Sequence, residues 1–183
     1  MRIIAGEHRG RKLFSPPDRS IRPTGDKVRE AIFSILAGAQ QDARVLDLFA
    51  GTGAMGLEAL SRGAAFALFA DASPKARDLI MKNLQALGLS GRARLVLTDL
   101  AQDLVFLQGQ EPFDLVFCDP PYQAGLAPAV LSALAASGVL APDAVVVLEH
   151  GPEEKSLEAP APLALTDQRR YGKTLVSFFG LVI

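Results

Sequence analysis

The stretch LDLFAGTGAMG, residues 46–56, decides the fold of this chain. It joins an apolar run typical of a buried strand to a helical pattern through Gly51, Gly53 and Gly56. Glycines at this spacing, placed between a strand and a helix, let a loop approach an adenosine-type ligand closely. Asp71 follows 20 residues after Gly51, where the same fingerprint has an acid for ribose hydroxyls. The stretch therefore predicts a nucleoside-binding crevice at the end of a strand.

On either side of this loop, strand and helix patterns alternate along most of the chain. Apolar runs of strand length are ARVLDLF (43–49), FALFAD (66–71), ARLVLTD (93–99), FDLVFCD (113–119) and AVVVLEH (144–150). Helical patterns are AMGLEALSR (54–62), SPKARDLIMKNLQALG (73–88), a weaker one near LAQDLVFL (100–107), and APAVLSALAAS (127–137). Such alternation predicts an α/β fold in which helices cover both faces of a parallel sheet.

Two further segments complete the predicted fold. In DKVREAIFSILAG (26–38), apolar residues recur at helical spacing and predict a helix whose start Thr24 or Asp26 can cap. That predicted apolar stripe consists of Val28, Ala31, Ile32, Ile35 and Leu36. At the C-terminus, LALTDQRR (163–170) and TLVSFFGLVI (174–183) predict a terminal hairpin that adds antiparallel pairing to the sheet.

The composition is that of one folded domain. The chain has 183 residues, of which 49% are apolar, and no apolar run approaches the ~20 residues needed to cross a bilayer. Cys118 is the only cysteine, which excludes an internal disulfide and a multi-cysteine metal site. We therefore expect a single domain over residues 1–183 that is cytoplasmic and metal-free. We also expect a monomer, although the sequence contains no signal that decides the oligomeric state.

Positive charge is concentrated at the N-terminus. Residues 1–30 hold eight Lys/Arg and four Asp/Glu, although the whole chain has a net charge of −1. RIIA (2–5) and KLFS (12–15) flank a turn that contains glycines, so we expect a basic hairpin and linker over residues 1–21, appended to the domain. A basic arm on an acidic body suggests a polyanionic partner, and a merely solvated arm is the alternative.

Acidic residues occur in or directly after each of the five alternating strands. They are Asp47, Asp71, Asp99, Asp119 and Glu149. Because the carboxyl ends of strands in an open parallel sheet line the ligand crevice, these carboxylates are expected to face one site. A dinucleotide would place its pyrophosphate near Asp47, where negative charge is unwelcome. The charge pattern therefore favours S-adenosylmethionine, which has a sulfonium, an ammonium and no phosphate, and Asp47 is counted among its contacts.

The motif Asp119-Pro120-Pro121-Tyr122 follows the fourth strand of this series. Consecutive prolines restrict the backbone and leave no amide hydrogen to compete for acceptors. The Asp119 carboxylate and the Pro120 carbonyl can then accept both hydrogens of an exocyclic amine and turn its lone pair toward a methyl group. Tyr122 supplies a flat face on which a base can stack. The motif predicts methylation of an amino nitrogen on a planar group.

At this point the chain resembles the bacterial family of small-subunit (16S) ribosomal RNA guanine-N2 methyltransferases. The resemblance rests on RIIAGEHRGRKL (2–13), RPTGDKVREAIFSIL (22–36), LDLFAGTGAMGLEALSRGA (46–64), DASPKA (71–76), DPPY (119–122) and RRYGKT (169–174). It implies a Rossmann-like class I S-adenosylmethionine-dependent methyltransferase with a mostly parallel seven-stranded sheet and a reversed final strand. It also implies transfer to the N2 amine of one guanine of 16S rRNA, within the small ribosomal subunit or its assembly intermediate.

The resemblance assigns roles by position. The cofactor would contact Phe49, Ala50, Gly51, Thr52, Gly53, Asp71 and Asp99, and the catalytic residues would be Asp119, Pro120 and Tyr122. In this context the basic arm would hold RNA phosphates through Arg9, Arg11, Lys12 and Arg22. Two positions depart from the family pattern. Gly25 replaces a hydroxyl residue at the start of a helix, and Asp71 replaces a longer Glu at the ribose contact.

Other functions remain open at this stage. The Asp-Pro-Pro-Tyr motif also suits an adenine N6 amine or a protein glutamine amide. An NAD-dependent oxidoreductase is opposed by the charge pattern. A non-catalytic RNA-binding module with the same fold is a further alternative.

Overall fold

The structure is a computed structural model that describes residues 1–15, 25–101, 104–121, 125–154 and 157–182. Its helices are α1 (Asp26–Ile35), α2 (Ala54–Ser61), α3 (Pro74–Leu87) and α4 (Leu126–Ser137). Its strands are β1 (Arg44–Leu48), β2 (Phe66–Asp71), β3 (Ala93–Leu97), β4 (Phe113–Cys118), β5 (Leu140–His150), β6 (Leu163–Tyr171) and β7 (Thr174–Leu181). No helix in these described ranges is long and apolar enough to cross a membrane.

The seven strands form one sheet in the order β3-β2-β1-β4-β5-β7-β6. Strands β1 to β5 pair in parallel, and β7 pairs antiparallel with both β5 and β6. The chain winds outward from β1 to β3 and then returns to add β4 beside β1. This reversal between β1 and β4 is the point at which open α/β sheets bind their ligands. The predicted α/β fold and the terminal hairpin are therefore confirmed.

Both faces of the sheet are buried against apolar side chains. One face packs against α1, α2 and α3, with Phe33, Leu57 and Ile80 among the buried residues. The opposite face packs against α4, through residues such as Val130 and Leu134. Two-sided burial explains why the central strands are almost continuously apolar in the sequence.

The buried face of α1 differs from the predicted stripe. Ile32 and Leu36 are buried as predicted, but Ile35 is 36% exposed. The other two buried residues of this face are Arg29 and Phe33, which the predicted stripe did not include. An arginine is tolerated there because its Nε lies 3.5 Å from Oε2 of the buried Glu58. The N-cap position of α1 is Gly25, which has no side chain to cap the helix. Asp26 is the first helical residue and does not cap it. Thr24 lies outside the described residues.

The segment LAQDLVFL also differs from its prediction as a weak helix. Its described part contains only a 3₁₀ turn, Val105–Leu107. Leu104 and Leu107 are buried three residues apart, which is the repeat of a 3₁₀ turn. So short a segment gains few hydrogen bonds against the cost of nucleating an α-helix.

The N-terminal segment forms a small antiparallel hairpin within residues 1–15, and the rest of the predicted linker, residues 16–21, lies outside the described residues. Arg2 bridges Lys12, and the Ile3 amide donates to the Arg11 carbonyl at 2.9 Å. The hairpin is docked on α2, because the two carboxylate oxygens of Glu58 accept from the amides of Ile4 at 2.8 Å and Ala5 at 3.0 Å.

The same hairpin is also tied to α3 and, through it, to the glycine loop. The buried Asn83 amide accepts from the Phe14 N–H at 2.7 Å and donates to the Phe14 carbonyl at 3.2 Å. Its nitrogen also lies 3.4 Å from the carbonyl of Thr52. The basic arm is thus attached to the body of the domain close to the predicted ligand site.

Candidate active site

A crevice of about 1110 Å³ opens at the carboxyl ends of the strands. All five of the predicted acidic residues line it, together with the glycine loop, the Asp-Pro-Pro corner and the turn between β6 and β7. Ligand pockets for one drug-sized molecule run from roughly 300 to 1,000 Å³. The crevice is therefore large enough for a nucleoside cofactor and part of a second reactant.

Strand register places four residues that line the crevice, three acids and Phe49, in one row across the sheet. Leu48 is paired with Ala70 on one side and with Cys118 on the other, and Cys118 is paired with Leu148. The residues that directly follow these four paired residues are therefore level with one another on adjacent strands. The row reads Asp71, Phe49, Asp119, Glu149 across β2, β1, β4 and β5.

The glycine loop has the backbone that its sequence requires. Phe49 has φ +57° and Gly51 has φ +54°, both in the left-handed region. A bulky residue at positive φ is strained, and such strain is concentrated at functional sites. Phe49, Ala50, Gly51 and Thr52 line the crevice, as predicted.

Gly53 and Gly56 have structural roles. Gly53 is the left-handed N-cap of α2 and is not among the lining residues of the crevice. A Cβ on Gly53 would come within 3.0 Å of Ile80, and one on Gly56 within 2.4 Å of the Phe69 ring. Gly56 therefore lets α2 approach β2 closely, and Gly53 lets the start of α2 approach α3. Gly53 supports the loop rather than forming the crevice wall.

Asp71 fastens the glycine loop to the end of β2. Its Oδ2 accepts from the Gly51 N–H and its Oδ1 from the Ser73 N–H, both at 2.8 Å. Each carboxylate oxygen retains a second lone pair, so hydroxyl groups of a ribose can still donate to it. The sequence pattern predicted the residue, but not this second role in shaping the loop.

Asp47 is more deeply placed than its predicted role suggests. It is 3% exposed, and its Oδ2 accepts from the Gly56 N–H at 2.9 Å. Burial raises the pKa of Asp47 from 3.8 to about 8, and the nearby Asp71 adds to the rise. With this pKa, Asp47 is largely neutral at pH 7. A nearby positive charge would favour its charged form.

We expect Asp47→Asn to remove a pH-dependent loss of stability. Because the folded-state pKa lies above the unfolded value, the stabilising contribution is complete below pH 4 and is lost as the pH rises toward 8. Asparagine cannot ionise, and its oxygen can still accept from Gly56. Melting temperatures at pH 6 and pH 9 should therefore diverge in favour of the variant at the higher pH. Asp143→Asn, at an exposed site, is the control, and parallel profiles for Asp47→Asn and wild type would contradict the expectation.

The Asp-Pro-Pro corner lies next to the glycine loop at the edge of the crevice, because β4 pairs with β1. The Asp119 N–H lies 3.5 Å from the Leu48 carbonyl of β1, and Asp119, Pro120 and Pro121 all line the crevice. Asp99 lines the crevice from the far side of β2, and its Oδ1 accepts from the Ala101 N–H at 3.1 Å. Tyr122 lies outside the described residues.

Three lining residues beyond β4 had no firm role in the sequence. Glu149 was expected to face the crevice with the other four acids but had no role of its own, and Tyr171 and Thr174 were named only within the RRYGKT motif and the terminal hairpin. All three line the crevice, because β7 runs antiparallel to β5 and the β6–β7 turn therefore reaches the same edge. The signal that could have found them is the turn sequence Tyr171-Gly172-Lys173-Thr174, once β7 is placed beside β5.

The predicted phosphate-binding residues lie away from the crevice floor. Arg9, Arg11 and Lys12 are exposed on the N-terminal hairpin. One Nη of Arg11 donates to the carbonyl of Ala86, at the C-terminal end of α3, at 2.9 Å. Arg22 lies outside the described residues.

The fold and the crevice define a class I S-adenosylmethionine-dependent methyltransferase. Within that class, a family model described as Conserved hypothetical protein 95 matches residues 1–180, and the chain belongs to this family.

Relatives of known name and structure are similar over nearly the whole chain. "Ribosomal RNA small subunit methyltransferase D" of Escherichia coli K12 is 39% identical over 173 residues, which cover 94% of this chain and 86% of that protein. The namesake in Haemophilus influenzae is 36% identical and covers 94% and 89%. The solved structure of Escherichia coli yhhF matches with a TM-score of 0.87 and 36% identity, covering 99% of this chain and 97% of that one. The resemblance seen in the sequence to a small-subunit rRNA methyltransferase family is thus confirmed.

Proposed function

We propose that this protein transfers a methyl group from S-adenosylmethionine to the N2 amine of a specific guanine in 16S rRNA. The observation that carries the proposal is the placement of the Asp-Pro-Pro corner and the glycine loop side by side in one crevice, at the ends of adjacent strands. A methyl donor held by the loop and an amine held by the corner would then meet between β1 and β4.

The residues on the β1–β2 side fit the cofactor. The Asp71 carboxylate, already oriented by the Gly51 and Ser73 amides, would accept from ribose hydroxyls. Asp99 would accept from the adenine amine. The bound cofactor supplies an electrophilic methyl group, and the surrounding acidic side chains favour its positive charge over a pyrophosphate.

The residues on the β4 side fit an amine acceptor. The Asp119 carboxylate and the Pro120 carbonyl would accept the two amine hydrogens and align the lone pair with the methyl group. Alignment of this kind can contribute up to roughly 7–11 kcal/mol to lowering the barrier. Tyr122 would stack on the base, and a guanine paired in a helix would first have to flip out.

The substrate is proposed from the names of the relatives and from the basic arm. The two relatives with 39% and 36% identity are both named ribosomal RNA small subunit methyltransferase D. An assembled or assembling subunit would contact Arg9, Arg11 and Lys12 through phosphates, and Arg22 is proposed for the same role. The protein is proposed to act as a monomer without metal.

The decisive experiment maps the modified nucleotide. Small subunits from cells lacking the enzyme would be incubated with the protein and isotopically labelled S-adenosylmethionine, and the labelled nucleotide of 16S rRNA would be identified. We expect a single N2-methylguanosine. Label on an adenine N6 amine, or on a glutamine of a ribosomal protein, would establish the alternative acceptors instead. Calorimetric binding of NAD without binding of S-adenosylmethionine would reject the proposal altogether.

Arg11→Glu is expected to weaken RNA binding and to flatten its salt dependence. Removing one phosphate-binding cation should reduce the slope of log K against log salt by about 0.7–0.9. Fluorescence titration of a 16S fragment that contains the target, at several salt concentrations, would measure this slope. The control is Arg94→Glu, at an exposed position of the edge strand β3 and outside the N-terminal hairpin. An unchanged slope in Arg11→Glu would show that Arg11 does not contact phosphates.

A further inference from the structure

We propose that Glu149 selects guanine over adenine by accepting the N1–H of the target base. The inference rests on the proposed function, since it requires an amine held at the Asp119 corner. It assigns a specificity role to an acid that neither the glycine loop nor the Asp-Pro-Pro motif includes.

The position of Glu149 follows from strand register. Cys118 pairs with Leu148, so Asp119 and Glu149 are level on neighbouring parallel strands, which lie about 4.8 Å apart. Both residues line the crevice and both are partly exposed to it. Glu149 is therefore the next acidic group beyond the corner in the direction away from the glycine loop.

Glu149 lies on the side of Asp119 toward which the target base would extend. The methyl donor approaches from the β1 side of Asp119, so the ring that carries the amine extends toward β5. Tyr171 and Thr174 line the crevice beyond Glu149, so they would bound the space for the ring on that side. One of the two ring atoms bonded to the carbon that carries the amine then comes next to the Glu149 carboxylate. In guanine these atoms are N1, which carries a hydrogen, and N3, which carries only a lone pair, so the carboxylate favours the orientation that presents N1.

The chemistry of that ring atom differs between the two purines. In guanine, N1 carries a hydrogen beside the N2 amine, and a carboxylate is an acceptor with several lone pairs, so it can serve the base in addition to contacts within the protein. In adenine, N1 beside the N6 amine is itself an acceptor, and its lone pair would face the carboxylate. Glu149 therefore attracts guanine and repels adenine at the same point, and it extends the row of acceptors begun by Asp119.

The test uses a base that keeps the amine but lacks the N1 hydrogen. Once the target nucleotide is mapped, small subunits would be reconstituted with 16S rRNA that carries 2-aminopurine in place of that guanine. Wild-type enzyme should methylate 2-aminopurine about 10–100-fold more slowly than guanine, measured as kcat/KM. Glu149→Gln can turn its amide NH₂ toward the N1 lone pair, so it should lower this guanine preference at least about tenfold. Glu158→Gln, the same change at an exposed position, should leave the ratio unchanged.

The outcomes separate this inference from the proposed function. No methylation of any 16S guanine by the wild type would reject the proposed function itself. If wild type and Glu149→Gln show the same ratio of kcat/KM for guanine to kcat/KM for 2-aminopurine, the role of Glu149 is overturned. This includes the case in which the variant loses activity equally on both bases. If the variant does not fold or shows no activity, the wild type alone decides, because a wild-type guanine preference below about fivefold would also overturn it.

Discussion

Replacing Asp119 by alanine should reduce kcat by at least about 100-fold and leave the affinity for S-adenosylmethionine within about tenfold of wild type. Asp119 follows β4 and lines the crevice beside the glycine loop that follows β1. Its proposed partner is the acceptor amine, and the hydrogen bond orients the lone pair only as the methyl group is transferred. Loss of an interaction made in the transition state lowers kcat without weakening binding of the donor.

Single-turnover methylation and calorimetry with S-adenosylmethionine would separate these two quantities. Asp119→Asn keeps one acceptor oxygen and should retain more activity than alanine. Asp143→Ala removes an exposed carboxylate near the start of β5 and is the matched control. Full activity of Asp119→Ala would refute the catalytic role. Loss of cofactor binding in parallel with activity would instead place Asp119 in the donor site.

The arrangement of the sheet could be predicted only in part. Alternating patterns predicted the parallel strands. The glycine loop between Leu48 and Ala54 predicted that the crevice opens at the carboxyl ends of these strands. The insertion of β7 between β5 and β6 was not predicted, although the sequence contains a signal for it. The run from Thr174 to Leu181 is almost wholly apolar, as expected of a strand buried on both faces. The run before Tyr171 contains several charged residues, as expected of an edge strand.

The site was predicted best where local sequence determines local geometry. Gly51, Asp71 and Asp119 lie where their motifs place them, because each motif includes the strand end that carries it. Asp47 was counted as a charged group, and only the three-dimensional burial of its carboxylate shows that its pKa rises to about 8. Glu149 reaches the acceptor side through pairing between strands that are distant in sequence, which no local motif records.

The buried pair of Arg29 and Glu58 shows the same limit for stability. The two residues are 29 positions apart and both are fully buried. Every residue of α2 is buried, and a buried glutamate requires hydrogen-bonding or charged partners. The identity of those partners depends on how α1 and the N-terminal hairpin pack, and the sequence does not give this.

Glu58→Gln is expected to destabilise the folded protein by about 3–5 kcal/mol, the usual cost of breaking a buried ion pair. Oε1 accepts from the Ala5 amide and from Arg62 Nε at 2.8 Å, while Oε2 accepts from Ile4 and lies 3.5 Å from Arg29 Nε. Replacing either oxygen by NH₂ sets donors against donors and leaves the buried Arg29 with less compensation. For a chain of this length the melting temperature should fall by roughly 6–20 °C.

A double-mutant cycle identifies the ion pair as the cause. Replacing both partners, as Arg29→Met with Glu58→Leu, removes the uncompensated charge and should be less destabilising than the sum of the single changes Arg29→Met and Glu58→Leu. The hairpin amides of Ile4 and Ala5 would still lose their acceptors, so recovery should remain incomplete. Glu30→Gln, on the exposed side of α1, is the control and should change stability by less than about 0.5 kcal/mol. Urea denaturation would measure all of these variants. A cost below about 1 kcal/mol for Glu58→Gln, or strict additivity in the cycle, would show that the buried pair does not anchor the N-terminal hairpin and α1 to α2.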